Sequence, residues 1–170
     1  MIKKNRPSKT IYGFLEKDHK ISFEKLNRFY EVLKKIRYEG RPSQPRNVAE
    51  IRGLVKYFRE ELGDHMKQEE RVLFPFLRSY IPRLEPMVYL LLSEHEDFRH
   101  HLEFLRKVLG KSGKDGFMGP RVIDQISEQG TYLTCLLRSH LWVESHSLYR
   151  AADKELRPGE KKKLMSQIRA

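Results

Sequence analysis

Apolar residues recur every three or four positions through four long segments, and none of these segments alternates with a period of two. Clusters of proline and glycine near residues 39–46, 79–86 and 110–120 separate the segments. The spacing places an apolar stripe on one face of each helix. The predicted helices cover residues 10–37, 47–78, 85–109 and 120–152. Their short connections favour antiparallel neighbours, so we predict an all-α fold, an up-down-up-down four-helix bundle with a short basic C-terminal extension.

Residues at the ends of the segments support these boundaries. Asn47 suits a helix N-cap, and Pro120 suits a first helical turn. Pro75 conflicts with the pattern, because it lies inside the second segment and has no N–H to donate. We therefore expect a kink or a loosened turn at Pro75.

Composition limits the class of protein. The chain has 39% hydrophobic and 34% charged residues, which is typical of a helical globular domain. Its longest apolar run, residues 87–92, is too short to span a bilayer, and the basic N-terminus lacks the apolar region of a signal peptide. The single cysteine, Cys135, excludes an intrachain disulfide and argues against a thiolate zinc site. We expect a cytoplasmic protein without a membrane partner.

The net charge of +11 lies mainly at the two ends of the chain. Residues 1–9 carry four basic side chains and no acidic one, and residues 153–170 carry six basic and three acidic ones. Such ends are more often solvated than bound to nucleic acid, so we do not expect a nucleic-acid partner. We divide the chain into a basic N-terminal tail at 1–9, a bundle at 10–152 and a basic extension at 153–170 that can form a short helix.

Each apolar stripe contains one histidine, and two of these histidines are followed by a glutamate four residues later. Residues four apart project from the same face of a helix, so these polar groups point inward. In an up-down-up-down bundle the four histidines lie at nearly one height, within about four residues or roughly 6 Å, and the two glutamates lie close to the same layer. The six residues are His19, His65, Glu69, His95, His140 and Glu144.

This polar layer predicts a metal site. A single histidine on an apolar face is ordinarily a core residue with one hydrogen-bond partner, but an unpaired buried carboxylate is costly. Six ligand-type side chains are too many for one tetrahedral zinc. Nitrogen and oxygen ligands without thiolate suit iron, or less often manganese, and two glutamates on different helices can bridge two metal ions. A mononuclear site is the alternative.

Four segments carry a resemblance to a known family. DHK at 18–20, HMKQEERVLFPFL at 65–77, SEHEDF at 93–98 and HLWVESHSLY at 140–149 resemble the hemerythrin, or HHE cation-binding, family over residues 10–152. The resemblance implies a non-haem di-iron centre in a four-helix bundle, with two iron ions joined by an oxo or hydroxo bridge and manganese or zinc as substitutes. It implies four histidine ligands and two bridging glutamates: His19, His65, His95, His140, Glu69 and Glu144.

The sequence departs from the oxygen-carrying members of that family. Those proteins use a further histidine one turn after the third-helix ligand, where this chain has Arg99, and neither His100 nor His101 points the same way as His95. Four histidines and two glutamates are more similar to the iron-sulfur-cluster repair proteins and to iron-sensing hemerythrin-like domains. Repair proteins carry a cysteine-containing N-terminal domain, whereas about ten residues without cysteine precede the first helix here, which argues against a repair role.

The ligand set leads to two functional expectations. Six protein ligands leave about two positions open on two six-coordinate irons. The first expectation is a centre that binds or reacts with O2, NO or peroxide, with possible redox enzyme activity toward NO or peroxide. The second is an iron- or oxygen-sensing module whose metal occupancy is read by an unknown protein partner. A basic helical binding module with a structural metal is a third alternative.

Several neighbours of the six residues have two possible roles. Three acids immediately precede predicted ligands and are either solvated or hydrogen-bonded to an imidazole of another helix: Asp18, Asp64 and Glu94. Three aromatic residues either line the site or pack elsewhere: Tyr12, Tyr132 and Trp142.

Overall fold

A computed structural model gives the fold and describes residues 11–113 and 116–168. All of the secondary structure in these residues is helical, which confirms the predicted all-α class. The predicted N-terminal tail at 1–9 lies outside the described residues. The helices are α1, Ile11–Tyr38; α2, residues 44–80; α3, Glu85–Leu109; α4, residues 120–155; and α5, Pro158–Ile168, with short 3-10 turns at Arg41–Ser43 and Pro82–Leu84.

The described chain forms five helices rather than the four of the predicted bundle. The fifth helix, α5, lies within the basic extension and packs against α2. Its side chains Leu164 and Ile168 are buried there in an apolar cluster. The Gln68 side-chain amide also donates a hydrogen bond of 2.6 Å to the carbonyl of Ile168. This part of the extension therefore covers the helices instead of lying free in solvent. No helix in the described ranges is both long and apolar enough to cross a bilayer.

The four long helices pack as antiparallel neighbours. Contacts between α1 and α2 pair Arg28 with Glu50 and His19 with His65, so the residue number rises along one helix as it falls along the other. Three further pairs of helices are antiparallel by the same criterion: α1 and α4, α2 and α3, and α3 and α4. Residues near the start of α1 and α3 thus meet residues far along α2 and α4.

Two apolar clusters form the core, one on each side of the predicted polar layer. Along α2 the first cluster ends at Met66 and the second begins at Leu73. Along α3 the corresponding residues are Leu91 and Phe98. Glu69 and His95 lie in these intervals, and His65 lies at the edge of the first cluster, directly before Met66.

Two wide helical turns begin at Glu69 and Glu144. Residues Glu69–Leu73 and Glu144–Leu148 form π-helical turns, as does Phe58–Leu62. The N–H of Phe74 donates to the carbonyl of Glu69, and the N–H of Tyr149 donates to that of Glu144. Residues five apart are about 140° apart around a regular α-helix, whereas this bond places them one above the other. A kink or a loosened turn is predicted at Pro75, and the π turn at Glu69–Leu73 lies just before that residue.

Candidate metal centre

The structure brings the six predicted residues together as two groups that share both glutamates. Within each group, one ligand atom from every residue lies within 4.8 Å of the others. All of these side chains are nearly inaccessible to solvent. The first group is His19, His65, Glu69 and Glu144, and the second is Glu69, His95, His140 and Glu144.

The distances inside the first group are those of atoms that face a common point. Nε2 of His19 lies 3.1 Å from Nε2 of His65. Glu144 Oε2 is 3.3 Å from His19 Nε2, and Glu69 Oε1 is 3.3 Å from His65 Nε2. Ligands at neighbouring positions of a six-coordinate metal with bonds of about 2.1 Å are about 3 Å apart.

The second group repeats this arrangement. Nε2 of His95 lies 3.0 Å from Nε2 of His140. Glu69 Oε2 is 3.7 Å from His95 Nε2, and Glu144 Oε2 is 3.3 Å from His140 Nε2. Glu69 thus directs one oxygen to each group, and Glu144 Oε2 lies 3.3 Å from a histidine of each, so both carboxylates lie between the two groups.

The glutamates are buried without adequate partners. Within the described residues, both oxygens of Glu144 and Oε2 of Glu69 lack hydrogen bonds, although imidazole nitrogens lie near them. Leaving an ionised carboxylate in this condition costs several kcal/mol unless a cation neutralises it. Imidazole and carboxylate donors without thiolate suit iron and similar cations. The residues present therefore fit a pair of bound cations.

Without a metal, protons take the place of the cations. Burial, and then the neighbouring charge of Glu69, raise the pKa of Glu144 to about 8. Burial lowers the pKa of His65, but the nearby carboxylates, Glu69 foremost and then Glu144 and Asp18, together outweigh this effect, and the pKa rises to about 9. Burial lowers the pKa of His19 and of His95 to about 4, so both imidazoles are neutral and have a lone pair available at pH 7.

Outer partners turn the Nε2 atoms of the second group inward. The Nδ1–H groups of His95 and His140 each donate a hydrogen bond of 2.8 Å, to Glu70 and to Glu94. Carboxylates in this position fix the orientation and tautomer of a metal-binding imidazole. Arg99 pairs with Glu70 at 2.7 Å and so acts on the site through that carboxylate.

The first group has weaker outer partners. His19 Nδ1 lies 2.9 Å from the hydroxyl of Ser145. His65 Nδ1 is 3.8 Å from Asp18, whose side chain is 58% exposed. Of the three acids that precede predicted ligands, Glu94 contacts an imidazole of another helix closely, Asp18 does so loosely, and Asp64 pairs with Lys67 on the surface.

Three residues around the site were missed by sequence reasoning. Glu70 and Ser145 follow the two glutamates directly, and Tyr149 follows Glu144 by five positions. The hydroxyl of Tyr149 is 2.9 Å from His19 Nε2 and donates a hydrogen bond to Glu69. A regular helix would turn these side chains away from the site, so helical periodicity does not identify them. The signal in the sequence is that the segments beginning at His65 and His140 share the same spacing of histidine, glutamate and a later aromatic residue.

The other aromatic and histidine candidates lie away from the site. Tyr132 is 43% exposed and packs on His101, and Trp142 is 55% exposed and stacks on His146. His100 is exposed. The side chain of Tyr12 lies outside the described residues.

A pocket of about 600 Å³ opens beside the first group. It reaches His65, the most exposed of the four predicted histidine ligands, and its wall includes Asp18, Lys25, Tyr57 and Glu61. The side chains of the second group are no more than 2% exposed. A small molecule or a metal ion entering through this pocket meets the first group before the second.

Comparison with known proteins agrees with this geometry. A curated relative, the iron-sulfur cluster repair protein DnrN of Neisseria gonorrhoeae, is 30% identical over 93 residues. This alignment covers 54% of the chain and 55% of the relative, so the chain spans about half the length of that protein. The family model for the hemerythrin HHE cation binding domain matches residues 10–152, and the chain belongs to that family.

Proposed function

We propose that this protein holds two iron ions at a centre of four histidines and two bridging glutamates within an up-down-up-down bundle of α1 to α4. The observation that carries the proposal is the pair of four-residue groups that share two buried, unsatisfied carboxylates. An oxo or hydroxo group is the expected further bridge, and manganese or zinc are possible substitutes. The ligands are His19, His65, Glu69, His95, His140 and Glu144.

The proposed reaction partners are O2, NO and reactive oxygen species such as peroxide. Bound iron supplies a ferrous–ferric couple and open coordination positions for such ligands. The protein contributes a pocket that ends at His65 and two apolar clusters that exclude water from the other sides. Glu70 and Glu94 hold the imidazoles of the second group in place during the reaction.

A sensing role is the second candidate, and one contact favours it. Gln68 precedes the bridging Glu69 and is hydrogen-bonded to Ile168 at the end of α5. Metal that binds only the folded site stabilises it, and this contact gives α5 a means of responding to occupancy. A partner that recognises α5 or the surface it covers would then read the iron content.

The test begins with protein purified without oxygen. Metal content per chain is measured first, and the ferrous protein is then mixed with O2, NO or peroxide while its visible spectrum is recorded. Two irons per chain and rapid oxidation support the proposal. One zinc, or no metal after iron supplementation, contradicts it.

Steady-state measurements separate the two candidates. Catalytic consumption of NO or peroxide supports a reactive centre, with the heat-treated protein and free ferrous iron as controls. Hydrogen exchange of α5 amides in iron-loaded and metal-free protein tests the sensor. Exchange that is unchanged by iron contradicts signalling through the contact between Gln68 and Ile168.

A further inference from the structure

The two glutamate-containing motifs are equivalent in spacing but differ at one position. Residues 65–74 and 140–149 each begin with a histidine and continue with glutamate, leucine and an aromatic residue four, eight and nine positions later. Each has a π turn that starts at the glutamate. The final aromatic residue is Phe74 in the first motif and Tyr149 in the second.

These two aromatic rings lie at equivalent places beside different histidines. The ring of Phe74 stacks on His95 at 5.6 Å, and the ring of Tyr149 lies 5.1 Å from His19. Both rings are buried. One group of ligands therefore has an apolar ring at this place, and the other has a phenol.

The phenol oxygen lies where a ligand of the first metal would lie. It is 2.9 Å from Nε2 of His19, and Nδ1 of the same ring is occupied by Ser145, so Nε2 is the nitrogen that faces the metal. It also contacts Oε1 of Glu69, the oxygen directed at His65. Neighbouring ligands of a six-coordinate metal are about 3 Å apart. The phenol oxygen lies at this spacing from His19 Nε2, and its hydrogen bond to Glu69 keeps it beside the second ligand type.

We propose that Tyr149 is a fifth protein ligand of the metal ion held by His19 and His65, and that the other metal ion, beside Phe74, has no counterpart. The inference rests on the proposed di-iron function. On binding ferric iron, the O–H bond of the phenol breaks, an O–Fe bond forms, and the proton leaves to solvent through the pocket at His65. The two metal positions are therefore chemically different, and the one that faces the pocket carries the anionic oxygen.

The surroundings of Tyr149 explain why the phenolate forms only with a metal. In the metal-free protein the phenol keeps its proton, because the hydroxyl donates a hydrogen bond to Glu69. A bound cation reverses this preference, because its positive charge stabilises an anionic ligand. Ferric iron does so more strongly than ferrous iron, so ligation follows oxidation.

The experiment uses the full chain loaded without oxygen with two equivalents of ferrous iron and oxidised with ferricyanide. Phenolate bound to ferric iron gives a visible charge-transfer band, and excitation in that band enhances the tyrosine ring modes in the resonance Raman spectrum. We expect both signals in the wild type and neither in Tyr149→Phe. Two ferric ions without tyrosine modes, or modes that survive in Tyr149→Phe, would overturn the inference.

Controls keep the result specific. Tyr132→Phe removes an exposed tyrosine from the same helix and should leave the band unchanged. Tyr149→His offers a nitrogen ligand in place of the phenol, and we expect it to keep iron and lose the tyrosine modes if Tyr149→Phe does not fold. Fewer than two irons in the wild type contradicts the di-iron proposal, whereas two irons without tyrosine modes contradicts only the ligation by Tyr149.

Discussion

Glu94 on α3 lies 2.8 Å from Nδ1 of His140 on α4, so a carboxylate from one helix orients an imidazole of the next. Glu70 on α2 holds His95 in the same way. Each contact fixes the direction of an Nε2 atom and ties two helices together at the height of the site. The group that contains His95 and His140 is therefore held more firmly than the group that opens to the pocket.

The first prediction follows from the contact between Glu94 and His140. Glu94→Gln removes the negative charge behind the imidazole, and we expect metal affinity to fall about 10- to 100-fold. Competition with a chromogenic chelator measures the change. Asp64→Asn is the matched control, because Asp64 also precedes a proposed ligand but pairs with Lys67 on the surface. Equal losses in both variants would contradict a specific role for Glu94.

The second prediction tests the bridging role of Glu69. Its two oxygens face different histidine pairs, so Glu69→Ala removes a ligand from both metal positions at once. We expect the metal content, measured by mass spectrometry of purified protein, to fall from two ions per chain to nearly none. His100→Ala is the control, because that side chain is exposed and should leave the metal content unchanged. Full occupancy in Glu69→Ala would contradict the site assignment.

The third prediction concerns the close contact of α1 with α4. A methyl group added at Gly130 would lie 2.5 Å from Cδ1 of Leu33, which is itself packed in the core. We expect Gly130→Ala to destabilise the fold by about 1–3 kcal/mol through overpacking. Denaturant unfolding of the metal-free protein measures this change without interference from metal loss.

A second glycine supplies the control for that measurement. Gly53 is exposed on α2, and a Cβ added there would have no neighbouring atom within 4 Å among the described residues. Gly53→Ala should therefore stabilise the protein by about 0.4–1 kcal/mol, since alanine loses less backbone entropy in a helix. Because alanine has the higher helix propensity at both positions, destabilisation of similar size in both variants would show that the contact with Leu33 is not its cause.

Helical periodicity predicted the inward set of residues because steps of three and four survive small errors in helix boundaries. His19 and His95 follow this rule and point inward as expected. Glu70 and Tyr149 break the rule, because the π turns that direct them into the site change the angular step within one turn. Such a turn depends on tertiary contacts, so a pattern based on the regular helix could not find these residues.

The fifth helix was predicted only as a possibility, for a related reason. The basic residues of the extension suggest solvation, and its amphipathic pattern is short. Leu164 and Ile168 nevertheless pack against an apolar surface of the neighbouring helices. The burial of these two side chains stabilises the helix despite its polar composition. Periodicity within a single segment does not reveal the apolar surface that another helix offers.

The fourth prediction is that the metal-free protein loses stability as the pH rises from about 6.5 to 8. The pKa of Glu144 is about 8 in the fold against an ordinary value of 4.5, and that of His65 is about 9 against 6.5. In this window the folded chain therefore binds more protons than the unfolded chain, and stability falls with rising pH. His19 and His95 have lowered pKa values, so their opposite effect is confined to pH values below 6.5.

Thermal or denaturant unfolding at several pH values checks this prediction, with metal-free and metal-loaded protein compared in the same buffers. Each titrating group contributes up to about 1.4 kcal/mol per pH unit. Bound cations replace the protons on Glu144 and His65, so the metal-loaded protein should not weaken across the window. Stability of the metal-free protein that is constant or rising between pH 6.5 and 8 would show that these two groups do not keep their protons in the fold.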